Sequence, residues 1–491
     1  MEIVNIFMQR ASESGIFQGC NLPNNGPRIS HLCYADDVIF IGAWSSNNIL
    51  ALNRILRWLC LVSGLKVNRN KCHLYGVGVP QAEVARLAAL ANCSAGSLPF
   101  LHLGVPIGVN MKRARYWKPV LDKFSSKLYK WKARHLSFAG RMTLAKSVLG
   151  SLPSYYLSLF AAPKCVLKSM KKIRRDFIWG KSSTGHKMRW IRWESLVKAK
   201  KFGGMGLGAV QGFNLAMLSK WWWRFKASPN ELWAKVVTAI HHSNSSNSPP
   251  NFVPLKKSIT GVWKDVVSVE AAFASRGVSL SANIVPAGDS WKWSSDPNGS
   301  FSVKQVRLDL DSADATSGSE SFVYDWNPWA TPKANYLLWR AMTGKIASKV
   351  GLHIRGIPLG DTCCSRCGCE EEDPDHIFVR CLWARCIWWN VLVWMRVPYP
   401  ANISNLKELI DFIKNQPGGK VWKRIVYLVA LATVWSIWRA RNEKVFEDRF
   451  IPILLSVEQA KEDAFLWVCN RTNLKKICWE KWKDFDLLDL L

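Results

Sequence analysis

An α+β multidomain fold is predicted by three features of the 491 residues. Residues 31–42 run apolar and aromatic side chains past Asp36 and Asp37, with the period-two alternation of paired strands. Residues 46–63 and 123–131 repeat apolar side chains every three or four positions, the spacing of helices with one buried face. Cys364-x₂-Cys367-x₈-His376-x₄-Cys381 supplies four soft donors at the spacing of a tetrahedral metal site.

Bulk properties bound the rest. The length predicts two to four domains, and 48% hydrophobic residues suffice for sizeable cores. A formal charge of +31 favours a polyanionic partner. The excess is concentrated: residues 112–201 hold 24 Lys or Arg against Asp122, Asp176 and Glu194, a local charge of +21. Fourteen Cys without a secretory leader point to a reducing, intracellular compartment, nucleus or cytoplasm, with thiols reduced or metal-bound. The 27 Trp are expected mainly in cores, with some available to stack on bases.

Residues 3–14 read as an amphipathic helix stopped by Gly15, residues 16–21 as a short strand, and residues 24–27 as a turn. The strands of 31–42 are expected to bury their apolar faces and leave Ala35, Asp36 and Asp37 in an exposed hairpin turn. Carboxylates so placed can share Mg²⁺, or simply serve the turn. Residues 46–63 predict a helix ended by Gly64. Strand structure follows around Leu65, Val67 and Leu74, where Lys71 can meet a nucleotide's phosphates or sit in solvent. A helix over 81–90 and a strand or turn near Leu103-Gly104 complete this portion.

Lys123, Lys127, Lys130 and Arg134 recur beside Phe124, Leu128 and Trp131, giving a helix with one basic face. Residues 137–141 are expected to break it before a helix over 142–149. Lys171, Lys172, Arg174 and Arg175 then interleave with Met170, Ile173 and Phe177. Cationic faces backed by apolar ones suit the phosphate backbone of RNA, an RNA–DNA hybrid or DNA. Acids are too scarce here to pair these charges. Residues 202–208 are glycine-rich but lack the Gly-Lys-Ser/Thr ending of a phosphate loop, so a flexible connector is expected. Residues 221–224 predict helical structure with packing duties.

Residues 241–260 read as a linker, followed by a small hairpin around 291–304 leading to a helix, then a polar loop over 311–321. A helix spans 329–341, with Pro332 near its start. For Cys364, Cys367, His376 and Cys381, three thiolates and an imidazole fit structural Zn²⁺ with no position open for water. Cys363 and Cys369 leave the register open, and reduced core cysteines are the alternative. The acidic run 370–373 argues against the zinc loop as a phosphate contact. The uninterrupted apolar run 425–438 is short for a membrane span, so a buried helix and no membrane association are expected. Residues 455–491 predict one or two helices, and Glu458, Glu462 and Asp463 fit an amphipathic helix rather than a ribonuclease H site.

Tyr34-Ala35-Asp36-Asp37, residues 64–72 and residues 100–108 resemble, in order and spacing, successive polymerase segments of plant non-LTR (LINE-type) retrotransposon reverse transcriptases. Residues 363–381 with their flanks resemble the zinc-binding domain downstream of those polymerases. The resemblance implies a partial palm over 1–110, a mostly helical basic thumb and connector over 111–240, and a linker with a small region over 241–320. A zinc-binding domain over 321–400 and C-terminal helices over 401–491 complete it. It implies RNA-directed DNA polymerase (nucleotidyltransferase) chemistry, with Asp36 and Asp37 catalytic on Mg²⁺ or Mn²⁺ and Tyr34 and Lys71 contacting substrate. The resemblance also implies a third metal-site Asp on its own strand, many residues before the paired aspartates, and the acids before Asp36 are only Glu2 and Glu13, in a helical pattern. A fragment inactive alone, completed by an upstream polymerase segment, is therefore expected. The alternative is a nonenzymatic zinc-containing nucleic-acid-binding protein of retrotransposon origin.

Overall fold

The computed structural model describes residues 2–130, 136–180, 188–241, 253–288, 290–316, 322–400, 402–474 and 478–487. Two compact units divide the chain discontinuously. The first comprises Met1–Lys127, Val148–Ile173 and Ala209–Ser319; the second comprises Leu128–Ser147, Arg174–Gly208 and Glu320–Leu491. Helices alternate with five two-stranded sheets among the described residues, a mixed α+β architecture.

In the first unit, the helix Glu2–Glu13 buries Val4, Met8 and Ala11, and Gly15 ends it with φ +70°, a conformation cheap only for glycine. Those residues pack with Phe17, Leu56 and Leu59, the last two from the helix Ser46–Ser63. That helix is capped at both ends as its sequence demands. The Ser45 side chain accepts the Asn48 N–H, and Gly64 closes the last turn at φ +70°. Asn48 is buried and laces the neighbouring chain, accepting from Gln18 N–H at 2.8 Å and donating to the Gln18 and Ala43 carbonyls at 2.9 Å each.

The strands His31–Tyr34 and Asp37–Phe40 pair antiparallel, with Tyr34 opposite Asp37. The turn is therefore Ala35-Asp36, with Ala35 at φ +49°, and Asp37 begins the second strand rather than sharing the turn. Burial is also less symmetrical than expected. Val38 and Phe40 pack on the core, whereas Leu32 and Tyr34 stay exposed. A second hairpin, Phe100–His102 with Val105–Ile107, turns through Leu103 at φ +49° and Gly104 at φ +76°, the positive-φ pair that matches strand twist.

The second core of this unit lies under the helix Val210–Ala227. Leu215, Leu218 and Trp222 meet Phe273, Leu280, Trp293, Val306 and Leu310. Asn214 is buried in the same helix. It donates to the Leu157 and Phe160 carbonyls at 2.7 and 2.9 Å and accepts from Ala162 N–H at 2.9 Å. The strand Ser290–Trp293 pairs with Ile284–Ala287, which precedes it, because the downstream residues enter the helix Val303–Thr316. That helix replaces the start of the polar loop expected from 311; residues 317–321 lie outside the described residues, as do 242–252 of the expected linker. His241 is buried at the end of the helix Leu232–His241.

The second unit is built on the helix Lys420–Glu447, whose residues 425–434 are all buried. It packs against the helices Pro332–Met342, Leu406–Lys414 and Ile453–Arg471. Pro332 occupies the first helical turn, and the Thr331 hydroxyl accepts the Ala334 N–H. The helix Lys420–Glu447 is long and apolar enough to cross a membrane, but 67% of its most apolar window is buried in the protein.

Two expectations in this unit are corrected. The helix Phe138–Ser151 begins at Phe138, so Gly140 and Arg141 are helical instead of breaking the chain. Nor is the glycine-rich run 202–208 a flexible connector. Met205, Gly206, Leu207 and Gly208 donate backbone hydrogen bonds to Ser195, Lys198, Leu196 and Val197, at 2.8–3.0 Å. Met205 and Leu207 are buried. A Cβ at Gly203 would lie 1.8 Å from the Phe322 carbonyl oxygen, and one at Gly204 2.1 Å from that of Lys198. Glycine is required there for close backbone approach, not for mobility.

Candidate metal centre

Local hydrogen bonds shape the cysteine loop. Cys364 N–H donates to the Glu370 carbonyl at 2.8 Å, and Gly368 N–H returns to the Cys364 carbonyl at 2.9 Å. Gly368 takes φ +69°. The loop is thereby closed on itself, with Cys364 and Cys367 on one side. Asp373 accepts the His376 N–H at 2.7 Å and starts the turn His376–Arg380. Cys381 N–H then donates to the His376 carbonyl at 2.9 Å. Phe378 is fully buried and its carbonyl accepts the Trp388 indole N–H at 2.7 Å.

These contacts bring one donor atom each from Cys364, Cys367, His376 and Cys381 within 4.8 Å of one another. Cys367 Sγ lies 3.3 Å from His376 Nε2. Tetrahedral zinc with Zn–S of about 2.3 Å needs sulfurs separated by roughly 3.8 Å, so only small shifts would close the four onto an ion. Cys364, His376 and Cys381 are buried and Cys367 is half-buried. Cys363 and Cys369 are exposed and outside the group; Cys369 Sγ instead donates to the Cys367 carbonyl.

Electrostatics favour a cation among the donors. His376 Nδ1 lies 2.9 Å from Glu370 Oε2. A proton on Nδ1 directed at that carboxylate leaves the Nε2 lone pair facing the thiols, the tautomer a metal requires. The His376 contact, followed by Arg380, holds the Glu370 carboxyl below its usual range. Arg380 in turn pairs with Asp373 at 2.7 Å. The Cys364 thiol is pulled down to about 4 by the Cys381 thiol, with help from the N–H groups of Cys367 and Arg366. Cys381 is pushed up by the same Cys364 contact and by burial. Cys364 and Cys381 thus titrate as a pair, one sulfur hydrogen-bonded to the other.

Two further contacts tie this loop to the long helix. The Arg366 guanidinium lies 3.9 Å from the Trp383 ring centroid and 4.4 Å from that of Phe450. It donates to the carbonyls of Ala440 at 2.9 Å and Ile451 at 3.1 Å. Glu372, completely buried, forms an ion pair with buried Arg441 and also accepts the Lys349 N–H at 3.0 Å. Glu370, Glu372, Arg366 and Arg441 were not legible as site residues. The available signal was an acid six residues before the histidine. Within the run 370–373, Glu370 and Asp373 both contact His376.

Elsewhere the predicted residues separate into exposed and buried sets. Asp36, Asp37, Tyr34 and Lys71 are exposed, Lys71 within the turn Arg69–Lys71. Among the described residues, the hairpin carrying the two aspartates is a sheet of two strands only, and no third acid converges on the pair. Lys123 and Lys127 are exposed on the helix Lys118–Lys130. The Lys130 side chain and Arg134 lie outside the described residues. On the helix Lys164–Trp179, Lys171 and Lys172 are exposed and Arg175 is half-buried. Arg174 corrects the expected cationic face. It is only 2% exposed and donates to the carbonyls of Gly208 and Leu207 at 2.9 and 3.0 Å, because it faces the apolar side of its helix.

An α-helical unit with a closed Cys₃His centre defines a zinc-binding class of structural site. Residues 301–388, which contain all four donors, match the family described as zinc-binding in reverse transcriptase. The chain is 31% identical over 159 residues to a protein of Arabidopsis thaliana named "Putative ribonuclease H protein", covering 32% of this chain and 26% of that protein. It is 29% identical over 97 residues to an "Uncharacterized mitochondrial protein" of the same organism, covering 20% and 63% respectively. The chain thus spans about a quarter of the length of the first relative. It carries a reverse-transcriptase-related zinc-binding region.

Proposed function

We propose that this chain is a portion of a non-LTR retrotransposon reverse transcriptase, an RNA-directed DNA polymerase, in which a zinc-stabilised unit supports binding of RNA, RNA–DNA hybrid or DNA. The observation that carries this reading is the convergence of Cys364, Cys367, His376 and Cys381 inside the segment matched to zinc-binding in reverse transcriptase. Zinc at these residues would neutralise the thiolate charge and cross-link the loop 364–368 to the turn His376–Arg380. The fully protein-coordinated set leaves no site for an activated water. Lys123, Lys127, Lys171 and Lys172 are exposed and take the phosphate-contacting role.

In this proposal Asp36 and Asp37 are polymerase positions that do not act in this chain by itself. Two-ion phosphoryl transfer needs carboxylates converging on metals about 4 Å apart. The exposed pair on an isolated hairpin, with no third acid among the described residues, supports weak and unproductive Mg²⁺ or Mn²⁺ binding. That same observation favours the second reading, a nonenzymatic zinc-containing nucleic-acid-binding protein. Primer extension by the purified zinc-loaded chain separates the readings when repeated with an upstream polymerase segment supplied in trans or in cis. The proposal expects no incorporation alone and incorporation on completion, abolished by Asp36→Asn. No incorporation under either condition selects the nonenzymatic protein. Template-dependent extension by the isolated chain, lost in Asp36→Asn, would overturn the incomplete-site reading.

A further inference from the structure

A second set of charged side chains lies in the zinc-containing unit, on segments other than the basic helices that the sequence singled out. Buried Ile191 and Ile346 anchor two short segments, residues 190–192 and 340–346. Trp190 packs beside Gly351, where an added Cβ would come within 3.4 Å of the indole. The Arg355 guanidinium stacks over Trp190 at 4.2 Å from the ring centroid and donates one N–H to the Gly351 carbonyl at 2.8 Å. Arg340 Nε donates to the Lys345 carbonyl at 2.8 Å, while its guanidinium lies 5.7 Å from the Phe138 ring centroid. The Lys345 ammonium lies 5.3 Å from that of Trp339.

The segments carrying these cations meet at Gly351, where an added Cβ would lie 3.0 Å from the Ile346 carbonyl oxygen, and the charges act on each other in two pairs, Arg340 with Arg355 and Lys345 with Arg192. Burial lowers Arg340 to about 10, with the Arg355 charge adding to the effect. Burial and then Arg192 lower Lys345. Among the described residues none of the four forms an ion pair. Aromatic rings lie beside Arg340, Lys345 and Arg355, and backbone carbonyls accept from Arg340 and Arg355. Like charges gathered without carboxylates lower the cost of binding an anion. Arginine forks fixed by stacking present planar donors suited to phosphate oxygens.

We infer that Arg192, Arg340, Lys345 and Arg355 form a binding site for the phosphate backbone of a polynucleotide, made of residues other than Lys123, Lys127, Lys171 and Lys172. The inference rests on the nucleic-acid-binding reading above and assigns part of that binding to the zinc-containing unit. Recognition is of phosphate rather than base. The fixed donors belong to main-chain-anchored arginines, and the cation excess of the chain favours a polymer of repeating negative charge.

The test uses the full zinc-loaded chain and a labelled, unstructured oligoribonucleotide in fluorescence anisotropy across a salt series. The triple variant Arg192→Gln, Lys345→Gln, Arg355→Gln leaves the more buried Arg340 in place. Loss of three contacts should lower the slope of log affinity against log salt by about 2 for a single strand, and weaken low-salt binding of different sequences by similar factors. Unchanged zinc content and melting temperature establish that the variant is folded. Cross-links from a thiouridine-substituted strand should map to residues 190–192 and 340–355. Wild-type binding with an unchanged slope in the folded variant, or cross-links confined to other segments, overturns this site while leaving the broader reading intact. No RNA binding by the wild type at low salt overturns both. Displacement of the RNA by polyglutamate at equal charge concentration overturns the polynucleotide assignment in favour of an acidic protein partner. If the triple variant loses zinc or unfolds, the single variants and the wild-type cross-link map decide by the same criteria.

Discussion

His376 contributes to the metal centre only in the tautomer and orientation that Glu370 imposes. The 2.9 Å contact between Nδ1 and the carboxylate fixes both. Glu370→Gln should therefore lower zinc affinity by about 10–100-fold while retaining all four donors, measured by competition with a chromophoric chelator. The same contact sets a pH dependence. Because the folded Glu370 lies below its ordinary carboxyl value, its contribution is present above the unfolded value and is lost as pH falls through the folded one. Glu372 is a different case, since its partner Arg441 is buried with it. Arg441→Met strands a buried carboxylate and should cost about 3–5 kcal/mol, whereas the double change with Glu372→Gln should recover much of that loss; denaturant melts of the zinc-loaded proteins read both. The four donors were legible because ligand spacing is local. Arg441 was not, since it lies 69 residues beyond Glu372 and in sequence looks like any solvent-facing cation near a helix end. Arg174 misled for the converse reason: composition cannot distinguish a guanidinium facing solvent from one satisfied by carbonyls.

Helices with capping residues at both ends were the most legible elements. Ser45 and Gly64 bracket Ser46–Ser63, and Pro332 opens Pro332–Met342, each through a short-range steric or hydrogen-bonding preference. The glycine run was misread because its role depends on backbone from elsewhere. Gly203 stands at φ +80° against the Phe322 carbonyl. Gly203→Ala should thus lower the melting temperature sharply, whereas Gly356→Ala, also at positive φ but with no neighbour near the new Cβ, should show only the smaller backbone penalty. Equal losses would refute close approach as the reason for Gly203. Asn214 gives an element-scale prediction in the other unit. Its amide satisfies two carbonyls and one N–H where the chain leaves the helix Ser154–Leu159. Asn214→Leu should destabilise by about 2–4 kcal/mol, since buried polar groups lose their partners together. A denaturant midpoint unchanged from wild type would contradict that role.

Neither unit is continuous in sequence, so each is assembled from segments far apart in the chain. Each nevertheless has its own source of stability. The first unit has apolar cores around Met8 and Leu56 and around Trp222 and Phe273, with none of the four candidate zinc ligands in its segments. The second depends on a loop whose hydrogen bonds leave three thiols and an imidazole gathered together. Apparent zinc-binding free energies of about 10–16 kcal/mol rival the 5–15 kcal/mol that stabilises a typical domain. Removing zinc should therefore be felt first where the thiolates are left facing one another. Hydrogen exchange resolved by peptide, before and after chelation, provides the measurement. Protection should fall over residues 360–395 and then over 436–451, where Arg366 grips the Ala440 and Ile451 carbonyls. Peptides covering 4–17 and 46–63 should keep their protection, because their core contains no ligand and their caps are local. Cys367→Ala should reproduce the chelated pattern without chelator. Undiminished protection over 360–395 after verified zinc removal would show that the loop folds on hydrogen bonds alone, and would make the Cys₃His cluster dispensable to the structure.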